Sequence, residues 1–502
     1  MSVETQNYDN ILKSSALIGM STALTVFIGV IRTKVMAIIL GPAGFGLMGL
    51  YLSFVDLAVS IAGMGVGNSG VRQIAEAVSA ERDEQIARTI SVLRRLAVVL
   101  GIFGAALLAS ASTQASMVTF GDARHAGGVT ILSFAVFFRI VASGQGALLQ
   151  GMRRVADLAK ISVYGAFLGT LVSIPLVFNL GEQGIAPSIV CISAIAAATS
   201  WWYSRQVRIA SPAMTASETW RESAYLLKLG FAFMSSGFIM MGAAYLVRLI
   251  IVRDIGLDAA GLYSSAWTLG GLYVGYVLQA MGTDFYPQLV GVASDNERCN
   301  RLVNDQAYVS LLLAGPGVVA TITFAPLVIA MFYSASFFGA VETLRWICFG
   351  MALRVISWPT GFILVAKYRQ FLFLGSDLAW ALVNIFLTWI GVRYFGLAGA
   401  GVAFFGSYVL HAALTFAIAR SLSGFRWSTR NQITGLIFLA SIGIVIGGTY
   451  LLPPLWSGAL GVIATLASAF HSSRALLNIV SKDHVPKSVM KLLVLLRLTT
   501  QD

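Results

Sequence analysis

Fourteen apolar runs, each long enough to cross a hydrocarbon core, follow one another from near Ile11 to about Ser472 and leave the chain little choice of fold. A bilayer core about 30 Å thick takes about 20 helical residues, and with no water to bond its amides a lipid-exposed segment satisfies them as a helix. The runs lie at about 11–40, 45–71, 89–110, 126–150, 158–178, 184–204, 224–252, 261–292, 305–333, 339–366, 371–392, 397–419, 432–452 and 455–472. Only 11% of the 502 residues are charged and 57% are hydrophobic, whereas soluble domains carry roughly 25% charged residues. The expected fold is an all-α polytopic membrane protein. The first run follows a polar decapeptide and has no small-residue cleavage site, so it reads as a retained helix.

Charge placement gives the orientation. With a cytoplasmic N-terminus, 25 Lys and Arg fall in cytoplasmic loops and tails, against three (Arg124, Arg253, Arg393) on the other side. That bias, and an even helix number, place both termini in the cytoplasm. The net charge of +12 then follows from topology and contact with anionic lipid, and no nucleic acid is expected. Cys191, Cys299 and Cys348 are far apart, and His125, His411, His471 and His484 lack ligand spacing, so neither a disulfide framework nor a metal site is expected. No segment outside the membrane is long enough for a catalytic domain; the longest is the basic tail after Ser472.

The chain carries an internal repeat. A shift of 215 residues aligns Lys13 with Lys228, Gly41 with Gly256, Gly46-Leu47 with Gly261-Leu262, Arg139 with Arg354, Arg154 with Arg369, Gly181 with Gly396 and Gly184 with Gly399. The Arg139/Arg354 match carries the most weight, because both lie inside apolar runs, where Arg is rare. Six helices separate the copies, so orientation is preserved and two six-helix bundles related by a pseudo-two-fold along the membrane normal are expected, with a binding site between them. This divides the chain into an N-terminal lobe over 1–210, a C-terminal lobe over 211–425, two further helices over 426–472 and a basic cytoplasmic tail over 473–502.

The stretch Gly65-Val-Gly67-Asn-Ser-Gly70 fits the G-x-G-x-x-G pattern of a dinucleotide-binding turn, but it lies in the second apolar run and follows no strand. Ser53, Asp56, Ser60, Gly63, Gly67 and Gly70 instead follow at helical spacing, predicting one small, polar helix face. The repeat carries Ser53, Asp56, Ser60 and Gly67 to Thr268, Gly271, Gly275 and Gly282, a matching stripe on helix 8. Such a face serves either packing between membrane helices or the wall of an inter-lobe cavity. The paired stripes favour the cavity.

At "IILGPAGFGLMGLYLSFVDL" (38–57), the Gly-rich helix that follows, "GVRQIAEA" (70–77) and "LLQGMRRV" (148–155), the chain resembles the polysaccharide transporter family of the multidrug/oligosaccharidyl-lipid/polysaccharide exporter superfamily, over about residues 10–420. Its nearest resemblance is to bacterial O-antigen and common-antigen translocases, or lipid-linked oligosaccharide flippases. The resemblance implies alternating access and transport of an undecaprenyl-diphosphate-linked oligosaccharide from the inner to the outer leaflet of the bacterial inner membrane. It also implies a monomer without a nucleotide-binding domain, working with membrane lipids, a polysaccharide polymerase and a chain-length regulator. No cofactor is expected beyond a coupling H⁺ or Na⁺.

Six basic residues remain within the apolar runs: Arg32, Lys34, Arg139, Arg248, Arg345 and Arg354. Each Arg near the bilayer centre costs about 2.5–3.5 kcal/mol, so these face a wet cavity or a partner. Arg32 shares a helix face with Ser14, Ser21 and Thr25, while Lys34 points about 200° away. Arg345, three residues from Glu342, is expected to form a local ion pair. Guanidinium groups offering bidentate hydrogen bonds suit a diphosphate, which makes Arg32, Arg139, Arg248, Arg354 and Lys34 substrate-binding candidates; a structural salt bridge or a carbonyl cap is the alternative role for each. Asp56, the one acid in the stripe, either accepts a coupling H⁺ or Na⁺ or neutralises Arg32. A multidrug antiporter and a lipid II flippase are the alternative functions within the superfamily, and a membrane glycosyltransferase or polysaccharide polymerase is the alternative outside it. The excess of intramembrane basic groups argues for an anionic ligand.

Overall fold

The computed structural model describes residues 3–207 and 214–478, with side chains from residue 19 onward except at 232, 233, 283 and 284. The side chains of Lys13 and Ser14, residue Arg208 and the tail from 479 lie outside the described residues. All regular structure among the described residues is helical. Ten segments among the described residues are long and apolar enough to cross a membrane. Three of them contain a break, at Gly41, at the 3₁₀ turn Gly181–Gly184 and at Gly396, and so make two crossings each. With a further 35-residue helix at Leu257–Gly291, the crossings agree in number with the fourteen runs.

Backbone geometry records the duplication independently of side chains. Gly41 and Gly256 (φ 63° and 118°), Arg153 and Tyr368 (55° and 58°), and Gly181 and Gly396 (56° and 58°) all have positive φ, and each pair obeys the shift of 215. Positive φ is uncommon outside glycine, so the Arg153/Tyr368 coincidence marks a shared turn.

The described helices cluster into two units, one of residues 1–261 with 332–334 and the other of 262–331 with 335–502. The first contains α1 (Val3–Gly63), α2 (Val66–Ser79), α3 (Asp83–Ser110), α4 (Ser112–Phe120), α5 (Ala126–Gly151), α6 (Val155–Leu180), α7 (Ile185–Ser204) and α8 (Ala216–Asp254). The helix α8, which the repeat assigns to the second copy, clusters here because it packs along α1 and α2. A capping box starts it: Thr215 accepts from the Glu218 amide, and the Thr215 amide and hydroxyl donate to Glu218, holding that carboxyl below its ordinary range. Small residues let the helices of this unit close up, as where a Cβ on Gly144 would lie 2.8 Å from that of Ala97 and one on Gly104 would lie 2.7 Å from that of Ala62. The connection at 111–125, between the third and fourth apolar runs, is mostly the helix α4, whose last carbonyls, of Met117 and Val118, accept from the Arg253 guanidinium at 2.7 and 2.9 Å.

The second unit holds α9 (Leu257–Gly291) from Leu262 onward, α10 (Asn296–Thr323), α11 (Ala325–Phe332) up to Met331, α12 (Val341–Ala366), α13 (Gln370–Ser423), α14 (Thr429–Leu451) and α15 (Pro454–Leu477). The two helices outside the duplication, α14 and α15, are built into this unit against α10. Asn304 of α10 fastens the turn into α14: its amide donates to the Arg426 carbonyl at 3.0 Å, and its oxygen accepts from the Ser428 amide at 2.8 Å and from Asn431 at 2.9 Å. The chain remains helical past the expected end at 472, to Leu477.

Candidate functional site

The second apolar run is not one helix. It ends at Gly63, and α2 restarts at Val66 after two left-handed residues, Met64 at φ 45° and Gly65 at φ 63°. For Met64 this conformation costs about 1–2 kcal/mol, a strain the surroundings must hold. They do so through α8, for a Cβ on Gly65 would overlap the Gly230 carbonyl and one on Gly230 would overlap the Met64 carbonyl. The second copy has no such break: α9 runs unbroken through Gln279 and Ala280, the counterparts of Met64 and Gly65. The expectation of a continuous face from Ser53 to Gly70 is therefore corrected. The G-x-G-x-x-G stretch does open a helix, and α2 has neither a side-chain cap nor an acid in its first turn.

A cavity of about 200 Å³ lies at the break, within the first unit. Ser60 and Gly63 of α1, Gly65, Gly67 and Asn68, Ser143 of α5 and Gly237 of α8 are among the residues that line it. Gly67 faces Ser143 closely there: a Cβ would lie 2.5 Å from Ser143 Oγ and would make that hydroxyl rotate away. The hydroxyls of Ser60 and Ser143 make no hydrogen bond among the described residues, unlike those of Ser133, Ser188 and Ser193, which donate to carbonyls of their own helices.

One turn before Ser60 and one turn before Ser143, Asp56 and Arg139 meet: Arg139 Nη1 donates to Asp56 Oδ1 at 2.5 Å. Both side chains are partly accessible, at 35% and 38%. Asp56 thus neutralises Arg139 rather than Arg32. Arg32 is half-buried beside α6, its Nη1 3.8 Å from where a Gly169 Cβ would lie, and does not line this cavity. Arg32 and Asp56 stand 24 positions apart with the Gly41 break between them, and helical spacing relates no residues across such a break.

The remaining candidates are dispersed. Ser53 is buried and donates to the Gly49 carbonyl of its own helix at 2.9 Å, so its hydroxyl, unlike that of Ser60 on the same face, is already satisfied. Lys34 is half-buried on α1, and Arg248 Nη1 donates to the Ala244 carbonyl of its own helix at 3.1 Å. In the second unit, Thr268 and Gly275 are exposed along α9, Thr268 donating to the Ser264 carbonyl at 2.8 Å, while a Gly271 Cβ would make ordinary contact with Met351. The Arg354 guanidinium has no hydrogen-bond or ion-pair partner among the described residues and lies in electrostatic reach of Tyr408 and His411. Arg345 lies within electrostatic reach of Glu342 but makes no direct contact with it among the described residues: Glu342 accepts from the Tyr450 hydroxyl at 2.5 Å, and Arg345 donates to the Ile322 carbonyl at 3.3 Å. Sequence reasoning missed Gly230 and Asn68. The signal available was Met64-Gly-Val-Gly67, two glycines around a β-branched residue inside an apolar run.

A family model described as polysaccharide biosynthesis protein matches residues 35–342. The lipid III flippase of Escherichia coli (strain K12) is 19% identical over 410 residues, which cover 81% of this chain and 97% of that protein; the lipid III flippase of Shigella flexneri matches to the same extent. Among solved structures, an inward-facing multidrug resistance MATE family transporter of the MOP superfamily superposes with a TM-score of 0.67 at 16% identity, covering 80% of this chain and 95% of its own. The lipid II flippase MurJ, in an inward closed conformation, gives 0.66 at 13% identity, covering 92% and 100%. The chain therefore has the fold of these transporters, and it belongs to the polysaccharide biosynthesis protein family.

Proposed function

We propose that this protein is a flippase that carries an undecaprenyl-diphosphate-linked oligosaccharide from the inner to the outer leaflet of the bacterial inner membrane by alternating access. The observation that carries this reading is the Asp56–Arg139 pair, a cation and its counter-ion held inside an apolar helical bundle one turn from Ser60 and Ser143, which line a cavity. A guanidinium at such a depth is costly, and an anionic headgroup is the ligand that suits it. The family match and the flippases among the relatives and neighbours support a transporter of lipid-linked glycan rather than an enzyme. Arg32, Lys34, Arg248 and Arg354 are the further cations along the substrate's route; the guanidiniums of Arg32 and Arg354 have no hydrogen-bond or ion-pair partner among the described residues. Ser60, Gly67, Thr268, Gly271 and Gly275 complete the route's small, polar surfaces. Asp56 couples transport to H⁺ or Na⁺ when it is released from Arg139. Both termini are cytoplasmic, and the protein works as a monomer beside a polysaccharide polymerase and chain-length regulator.

The test is transport of a fluorescent undecaprenyl-diphosphate oligosaccharide in proteoliposomes, read by accessibility to an external glycosidase. Protein-dependent exposure of the label is expected. No exposure above empty vesicles, alongside export of organic cations, would assign the protein to drug transport instead.

A further inference from the structure

The bilayer offers any intramembrane guanidinium a great excess of phosphodiester headgroups, each with one negative charge. A bare Arg139 would take them as readily as it takes a scarce lipid diphosphate. Arg139 is not bare. It is held at 2.5 Å by Asp56 across 83 positions of chain, whereas six other ion pairs join residues no more than four positions apart.

We propose that Asp56 makes the site selective for a diphosphate over a single phosphate, by acting as the built-in competitor for Arg139. The proposal rests on the flippase reading above. A monoanion that displaces the carboxylate exchanges one charge for one, and it gives up a partner already held in place by the fold. A diphosphate brings two or more charges, so it replaces the carboxylate and adds further attraction in a site of lowered dielectric. Specificity obtained this way comes from a repulsive element aimed at the wrong ligand.

The surroundings provide for both halves of the exchange. Ser60 lies one turn beyond Asp56 on the same helix face, and its hydroxyl makes no hydrogen bond among the described residues, so it is free to donate to the displaced carboxylate. Ser143 stands in the same relation to Arg139 and is free to donate to an incoming phosphate oxygen. The pair is partly exposed, at 38% for Arg139 and 35% for Asp56, so the guanidinium is reachable by a ligand. The second copy has Gly271 at the equivalent position, and no carboxylate pairs with Arg354 among the described residues.

The test compares affinities of the full-length protein in one detergent for undecaprenyl diphosphate and for phosphatidylglycerol, using only monodisperse protein so that the ratio is independent of yield. Wild type is expected to prefer the diphosphate by about tenfold or more. Asp56→Asn, and Asp56→Ser as a second neutral variant, should collapse that ratio, chiefly by tightening phosphatidylglycerol. Asp56→Glu should keep it, and Arg139→Gln should weaken both ligands. Neutral variants that leave the ratio unchanged, or weaken both ligands equally, would show that Asp56 is merely structural and overturn the proposal alone. Wild type that binds no diphosphate would overturn the flippase reading and this proposal with it.

Discussion

Gly65 and Gly230 pack backbone against backbone, so that neither position has room for a side chain. This contact holds α8 against the break at Met64–Gly65, beside the cavity. Gly230→Ala adds one methyl group on a regular helix, so it tests the close approach without the further strain that Gly65→Ala adds at φ 63°. Gly230→Ala is expected to insert normally and to lower transport about tenfold, Gly65→Ala more, as scored by proteoliposome flipping per inserted molecule. Equal transport by Gly230→Ala and wild type would leave the contact without a functional role.

Removing Arg139 and removing Arg354 should differ in cost to the fold. Arg139→Ala strands Asp56, and because both side chains are more than a third exposed the loss is about 1–2 kcal/mol rather than the larger penalty of a fully buried charge. The double variant Arg139→Ala/Asp56→Asn should recover that stability in a thermal melt without recovering flipping. Arg354→Ala breaks no ion pair among the described residues and should melt as wild type while losing flipping. Arg→Lys at either site should keep part of the activity, since charge survives and the bidentate geometry does not. Normal flipping by both alanine variants would move the anion site elsewhere.

Topology is open to direct measurement. Alkaline phosphatase fused at Gly127 or Glu182 should be active, and fusions at Ser217 or Ser428 should be inactive, with a cytoplasmic reporter giving the converse pattern. A reversed result at any one site breaks the proposed orientation.

The side chain of Asn304 is the clasp between α10 and the turn into α14. Asn304→Ala leaves the Ser428 amide and the Arg426 carbonyl without these partners and should destabilise the protein by about 1–3 kcal/mol. A protease-sensitive α13–α14 connection, with flipping retained in surviving molecules, is the expected phenotype; an unchanged melt and digestion pattern would dismiss the clasp.

Helix number, membrane class and duplication were legible in the sequence because each rests on many residues at once. The apolar runs sum over about 20 positions, and the shift of 215 recurs in the backbone at Gly41/Gly256, Arg153/Tyr368 and Gly181/Gly396. The site was legible only in part. Asp56, Ser60 and Gly67 were identified by spacing along one helix, and Arg139 by its rarity in an apolar run, yet their pairing is a contact between helices that spacing cannot express. Spacing also failed where the helix stops: Ser53 shares the stripe but bonds its own backbone, and the stripe itself is cut at Met64. Arg345 illustrates the same limit, because proximity to Glu342 in sequence yields to the Tyr450 hydroxyl and the Ile322 carbonyl in space.

The interruption at Met64–Gly65 has no equivalent in α9, and the carboxylate of Asp56 has none at Gly271. Each copy thus contributes a different element to the fold: α9 is an unbroken rod that presents Thr268 and Gly275 along its surface, whereas the first copy supplies an interrupted helix, with a charged pair two turns before the break and a backbone contact to α8 at the break itself.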